Sequence, residues 1–345
     1  MSTVTTTKKA CIFGAGAFGF AIASLLGDQN PEYSVVLYDP VKSYIDLIIA
    51  ERRHPVFHTG IQLPENCTGS HNVEDAIKDA DLVFLAVPAA YLRDCVKKIA
   101  PSVNRSPTTF VNVAKALEPE SNKYGSEIVI EELEKGCKQP YHFAALAGGM
   151  IADEVTRKWP IAADLACENI AVARKIQGML QSPTFRILVT DDVVGVELAG
   201  ALKNVMAIGA GFFDGIGYDA SSKAAYVSTG ANEMRSLAIA MGAKATTFDL
   251  GSHAWLNDLL TTCFGKSRNR YFGELIGKGN SVEEALAILA KEKKRSEGFV
   301  SVPGLYQIAK EKNINTPILN TIKAVLLDGK KPQDVILDMF KPSKL

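Results

Sequence analysis

The chain has no excess of charge of either sign: 38 lysines and arginines stand against 38 aspartates and glutamates in 345 residues. No global field draws it to nucleic acid or to an anionic membrane, so an anionic ligand must be held by a local cluster of positive groups. Cysteine is sparse. Cys11, Cys67, Cys95, Cys137, Cys167 and Cys263 are scattered with no CxxC pair, which argues against a disulfide framework or structural zinc and suits a reducing compartment. His54 and His58, either side of Pro55, lack carboxylate or cysteine companions at metal spacing. No metal is expected, and both read as loop residues. The segment before Lys9 is polar and threonine-rich, without the apolar stretch of a secretory signal. No uncharged apolar run is long enough to span a bilayer, and neither an internal repeat nor a low-complexity linker is visible. The expectation is a soluble, intracellular protein.

What is present is an alternation of short apolar runs with helical patterns. Residues 9–14, 34–39, 81–87, 109–114 and 142–146 are apolar throughout rather than in alternation, as in strands of a parallel sheet covered on both faces. Residues 161–166 and 185–190 extend the series, although the first of these also suits a helix. From Asp191 the texture changes to long segments with a period of 3.6: 193–213, 222–241, 254–263, 282–291, 302–310, 317–327 and 332–340. The pattern predicts a doubly wound, mostly parallel α/β domain over residues 1–190, followed by an all-α domain over 191–345.

Gly14-Ala15-Gly16-Ala17-Phe18-Gly19 matches GxGxxG directly after a predicted strand and at the opening of a predicted helix, the context that makes it a Rossmann dinucleotide fingerprint. Gly14 would permit the tight turn and Gly16 would let backbone approach a pyrophosphate. Gly19 would let helix and strand pack closely, and the helix N-terminus with Ala17 and Phe18 would face the phosphates. Asp39 closes the second predicted strand, where an acidic residue accepts from the ribose hydroxyls and repels a 2′-phosphate, favouring NAD over NADP. It would equally serve as a helix N-cap before Pro40.

The second half carries a more specific pattern. Val196-Glu-Leu-Ala-Gly200-Ala-Leu-Lys203-Asn204-Val-Met-Ala207 lies on a predicted helix and leads into Gly209-Ala-Gly-Phe-Phe-Asp-Gly-Ile-Gly217. With Asn112-Val-Ala-Lys115, Asp258-Leu-Leu-Thr-Thr-Cys263, Ser267-Arg268-Asn269-Arg270 and Ser296-Glu297-Gly298, it resembles the NAD-dependent glycerol-3-phosphate dehydrogenases in order and spacing over nearly the whole chain. Residue types agree with such chemistry: hydride delivery to a ketone leaves an alkoxide, which needs a proton donor and positive neighbours. The resemblance implies that Lys203 is the acid/base and that Lys115 binds and polarises the substrate, while Asp258 would hold Lys203 or the substrate hydroxyl and keep the ammonium positioned. Ser267, Arg268 and Asn269, with Asn204, would hold the triose phosphate, Arg through its two-bond fork. Arg268, Lys115, Glu297, Pro88 and Ala152 would also touch the cofactor. A homodimer is compatible with these features.

Two segments depart from the family. Its Ser-Gly-Pro-x-x-Ala loop is here Ala147-Gly148-Gly149-Met150-Ile151-Ala152, and Trp255-Leu256-Asn257 adds bulk before Asp258 where the family keeps small residues. The terminal Ser343-Lys344-Leu345 matches the peroxisomal address, so an organelle of the peroxisome or glycosome type and its import receptor are expected. The rival readings are a related reductase of another phosphorylated or hydroxy-acid substrate, and a silent NAD-binding sensor.

Overall fold

The structure, a computed structural model, describes residues 8–292 and 294–340; the terminal tripeptide lies outside them. Two compact units are present. One comprises the chain up to Ala114 together with Gly125–Val193, the other Lys115–Tyr124 and everything from Val194 onward. The short Lys115–Tyr124 segment, which the sequence placed inside the first domain, thus belongs with the helical unit, and Lys115 goes with it.

The first unit is built on eight strands: β1 (Lys8–Phe13), β2 (Tyr33–Tyr38), β3 (Cys67–Ser70), β4 (Leu82–Leu85), β5 (Thr108–Asn112), β6 (Tyr141–Ala147), β7 (Ile161–Ala166) and β8 (Phe185–Thr190). Their order is β3-β2-β1-β4-β5-β6-β7-β8. All neighbours are parallel except β6 and β7. Residues 161–166 are therefore a strand, and β3, too short and polar to show as an apolar run, joins the edge. Along β1 the side chains alternate: Ala10 and Ile12 enter one core cluster, Cys11 and Phe13 the other. Both faces are buried, which is why the strand reads as continuously apolar. The chain leaves β1 toward β2 and returns beside it as β4, and this reversal opens a crevice at the carboxyl ends of β1 and β4. Where β6 hands over to the antiparallel β7, Gly148 is required: a Cβ there would stand 2.5 Å from the Ala162 carbonyl oxygen.

The second unit is helical, with no strand among the described residues. Its centre is the helix Val193–Ile216, long and apolar enough to cross a bilayer by composition, yet 94% buried over its most apolar window. Its apolarity is that of a core helix. Around it lie Ala220–Ala240, Asp258–Phe264, Arg268–Gly277, Val282–Lys291, Glu297–Glu311 and Pro317–Asp328. The predicted helix 254–263 is in fact two pieces, a π-helical turn over His253–Asn257 and an α-helix from Asp258. The helix from Arg268 was not anticipated, because its first turn is polar and carries three charged or amide side chains. Helix Glu297–Glu311 also begins earlier than its apolar period, at a Ser296 cap.

Candidate active site

In the first unit the three loop glycines do separate work. Gly14 adopts φ +103°, a conformation that favours glycine. A Cβ on Gly19 would stand 1.8 Å from the Gly14 carbonyl oxygen, so helix Ala17–Gln29 can lie against the β1 turn only without one. Gly16, the N-cap residue, faces open space and no side chain caps the helix. The first-turn N–H groups of Ala17 and Phe18 are left for an anion. Pro88 is the N-cap of the helix that follows β4, and the Ala86 N–H bonds the Phe13 carbonyl at 2.8 Å. Gly14 and Pro88 thus flank the crevice where the strand order reverses. These residues fit a dinucleotide, whose pyrophosphate the glycine turn would hold.

Asp39 is not a helix cap; Val41 occupies that position. One Asp39 carboxylate oxygen accepts from the Val41 N–H and the other from the Ala15 N–H, both at 2.9 Å. The carboxylate thereby ties the end of β2 to the glycine loop, and its remaining lone pairs are available to a hydroxyl. The histidines lie in the 52–63 loop as read, but they are not idle. His54 is buried and its Nδ1 accepts from the Val56 and Phe57 N–H groups at 3.0 and 2.9 Å, while His58 Nε2 lies 3.1 Å from the Ala17 carbonyl oxygen. Ala152 opens the short helix Ala152–Thr156 and packs against the core under the sheet.

The second unit brings the chemical groups together. Asp258, 2% exposed, bridges two ammonium groups, with Oδ2 at 2.7 Å from Lys115 Nζ and Oδ1 at 2.9 Å from Lys203 Nζ. Lys203 Nζ also donates to Thr262 Oγ1 at 2.8 Å, and that hydroxyl donates onward to Asp258 Oδ1 at 3.1 Å. Thr262 is the residue that sequence reasoning missed. Its signal was the i, i+4 spacing from Asp258, which puts both on one helix face. Burial pushes the Lys203 ammonium below the ordinary lysine range, and Asp258 offsets this only in part. Burial would raise the Asp258 carboxyl, but the Lys115 and Lys203 ammonium groups hold it below its usual range. The result is a dry lysine whose proton is easier to give than an exposed one's.

A second network fixes the surroundings. Asn204 Nδ2 donates to the Lys115 carbonyl at 2.9 Å, and Asn269 Nδ2 donates to Asn204 Oδ1 at 2.8 Å. Asn269 Oδ1 in turn accepts from Ser296 Oγ at 2.8 Å and the Gly298 N–H at 3.0 Å. Both asparagines are buried. They stitch the Lys115 segment to three helices, and each keeps an amide N–H for a ligand. Ser267 caps helix Arg268–Gly277 by accepting from the Arg270 N–H. Arg268, the first residue of that helix, is exposed and has no hydrogen bond or ion pair among the described residues. Glu297 is half-buried and adds negative potential at Lys203. Of the family departures, Trp255 packs into the interior with its ring centroid 4.9 Å from that of Phe248. Asn257 Oδ1 accepts from Thr261 Oγ1. Neither enters the lysine cluster.

Comparison with known proteins finds matches to both parts of the chain. Residues 9–173 match the description "NAD-dependent glycerol-3-phosphate dehydrogenase N-terminus" and residues 192–337 the corresponding C-terminus. The chain is 33% identical to a glycerol-3-phosphate dehydrogenase, NAD(P)+, of Chlorobium limicola, covering 95% of this chain and 96% of the relative. It is 34% identical to one of Syntrophomonas wolfei, over 97% and 95%. Among solved structures, a glycerol-3-phosphate dehydrogenase of Coxiella burnetii superposes with a TM-score of 0.87 at 26% identity, covering 97% of this chain and 99% of that one. A ketopantoate reductase of Ralstonia eutropha, at a TM-score of 0.58 and 15% identity over 96% and 99% of the two chains, shares the fold alone. With both halves matched in order and a dinucleotide loop and a buried lysine pair in place, the chain belongs to the NAD-dependent glycerol-3-phosphate dehydrogenase family.

Proposed function

We propose that the protein interconverts dihydroxyacetone phosphate and sn-glycerol 3-phosphate, and that the buried Lys203–Asp258–Lys115 cluster carries the chemistry. NADH, when bound by the glycine loop, supplies the hydride for the keto carbon. Lys203 Nζ gives its proton to the developing alkoxide, which its lowered proton affinity favours. Lys115 polarises the same oxygen with a positive charge fixed in a water-poor setting. Asp258 keeps both ammonium groups at fixed places and prevents their mutual repulsion from separating them. Arg268, with no hydrogen bond or ion pair among the described residues, takes the phosphate, and Asn204 and Asn269 each have an amide N–H left to assist. Asp39 supports NAD over NADP, since a fixed carboxylate beside the ribose would repel a 2′-phosphate.

The test is purified protein with dihydroxyacetone phosphate, supplied in parallel with NADH and NADPH. Oxidation of NADH at the higher kcat/KM is expected, and Lys203→Ala should lower kcat by about 10²–10⁴-fold while NADH still quenches intrinsic fluorescence on binding. Turnover of a hydroxy acid in place of the triose phosphate, or full activity in Lys203→Ala, would defeat the reading. For location we propose import into a peroxisome-type organelle, a reading supported by Ser343-Lys344-Leu345 alone. Fluorescent fusions with and without those three residues, expressed in a eukaryotic cell, should differ in organellar punctation; identical distributions would remove the proposal.

A further inference from the structure

One arginine in the second unit is held far more elaborately than its exposed neighbours. Arg270 Nε donates to the Gly265 carbonyl at 2.8 Å, while its Nη1 donates to Asp214 Oδ2 at 2.5 Å and to Glu274 Oε2 at 3.1 Å. Each of those carboxylates is itself held. Lys223 Nζ reaches both Asp214 oxygens at 2.8 Å, and Lys278 Nζ reaches Glu274 Oε1 at 2.6 Å. Lys223 is buried and its ammonium stands 5.0 Å from the Phe264 ring centroid. The arrangement thus binds four charged side chains around the guanidinium of Arg270.

The outlet of this network is the Gly265 carbonyl. The same oxygen also accepts from the Ser267 N–H at 3.0 Å, and the Gly265 N–H bonds the Thr261 carbonyl at 3.0 Å. Arg270 therefore reaches back past the start of its own helix and clamps the turn that leads from Thr262, in the lysine cluster, to Arg268. Half-buried charge is costly to keep for stability alone, because well-packed apolar residues do as well or better. What a charged fork adds is direction: Nε and Nη1 fix two partners at a set angle.

We propose that Arg270 is a positioning residue for phosphate recognition, aiming Arg268 and Asn269 by clamping the Gly265–Ser267 turn, with Asp214 as its anchor. The proposal rests on the reading that Arg268 binds the phosphate. A lysine at this position would keep the ion pair with Asp214, but its single nitrogen cannot also reproduce the fork's bond to Gly265.

The experiment is a double-mutant cycle on the full-length enzyme, with KM and kcat for dihydroxyacetone phosphate measured for wild type, Arg268→Ala, Arg270→Lys and the double variant. Arg268→Ala should raise KM by about 10–100-fold, the loss of a charge-assisted bond. Arg270→Lys should raise KM by about 5–10-fold with kcat changed less than about threefold, and should add less than about twofold once Arg268 is absent. Asp214→Asn should shift KM in the same direction, and it supplies the reading if Arg270→Lys fails to fold. An unchanged KM in Arg270→Lys, or the same factor in both backgrounds, overturns the positioning role. An unchanged KM in Arg268→Ala overturns the phosphate reading on which it rests.

Discussion

Lys203 shows how much one side chain's setting decides. A lysine in water holds its proton too firmly to be a good acid near neutrality. Here burial lowers its proton affinity while Asp258 keeps the ammonium oriented. The sign follows directly. Reduction needs the charged amine, so kcat/KM for dihydroxyacetone phosphate should fall as pH rises through a pKa that lies below 10.5. Oxidation of glycerol 3-phosphate needs the neutral amine and should rise through the same value. Paired profiles in the two directions check this, and limbs of the same sign would take Lys203 out of the proton path. Lys203 was legible as a candidate because a lone charge in an otherwise apolar motif stands out, whereas Lys115, Asp258 and Arg268 were picked out by the family resemblance. Thr262 was not, since a hydroxyl among leucines and threonines looks like ordinary helix filling until its two partners are in view. The buried role of His54 was hidden for a similar reason: only the loop's path shows that its Nδ1 takes two backbone N–H groups.

At the scale of elements, Gly211 and Gly215 of the 209–217 stretch are explained by a crossing. Helix Val193–Ile216 and helix Arg268–Gly277 meet backbone to backbone. A Cβ on Gly211 would lie 2.0 Å from the Arg270 carbonyl oxygen, and one on Gly273 would lie 1.9 Å from that of Ile208. This close approach is what lets Asn269 reach Asn204. Gly273→Ala must push two main chains apart and should cost about 3 kcal/mol, with a fall in kcat/KM as the asparagine bond opens. Gly178→Ala is the contrasting case. That glycine is exposed within helix Ile170–Leu180 with nothing near its missing Cβ, so the same substitution should stabilise by about 0.5–1 kcal/mol through helix propensity. Denaturant unfolding of the two variants should move in opposite directions; equal shifts would refute the packing account. The helix period was readable in Val282–Lys291, where one apolar face is buried, but not in Arg268–Gly277, whose first turn is polar. The π turn before Asp258 was not readable either, because the widening leaves the apolar spacing almost unchanged.

Across the whole molecule, global stability should carry the mark of a half-buried carboxylate. Glu233, on helix Ala220–Ala240, accepts from the Ile318 and Leu319 N–H groups at 2.9 Å each. It caps helix Pro317–Asp328, whose own N-cap Thr316 makes no side-chain capping bond. Burial pushes the Glu233 carboxyl up to about 7, against the pull of those two donors. Its folded pKa is raised, so between about pH 4.5 and 7 the folded chain holds a proton that the unfolded chain has released. The associated stability is present in acid and is lost as pH rises through that window, by up to about 3 kcal/mol. Glu233→Gln loses one acceptor at every pH but does not titrate. Wild type should therefore lose stability relative to the variant from pH 4.5 to 7, and parallel curves would show that the group does not titrate there.

The sequence by itself determined the α/β-then-α order and the dinucleotide loop, and its resemblance to the family named the candidate chemical side chains. The first two are written in local spacing: runs covered on both faces and glycines at a strand–helix turn. Only the tertiary structure decided that the Lys115–Tyr124 segment joins the helical unit and that one carboxylate serves two lysines. It alone showed that Arg270 looks back to Gly265. Those relations join residues far apart in the chain, and whether two such groups meet depends on how closely backbones can approach, which no local pattern encodes.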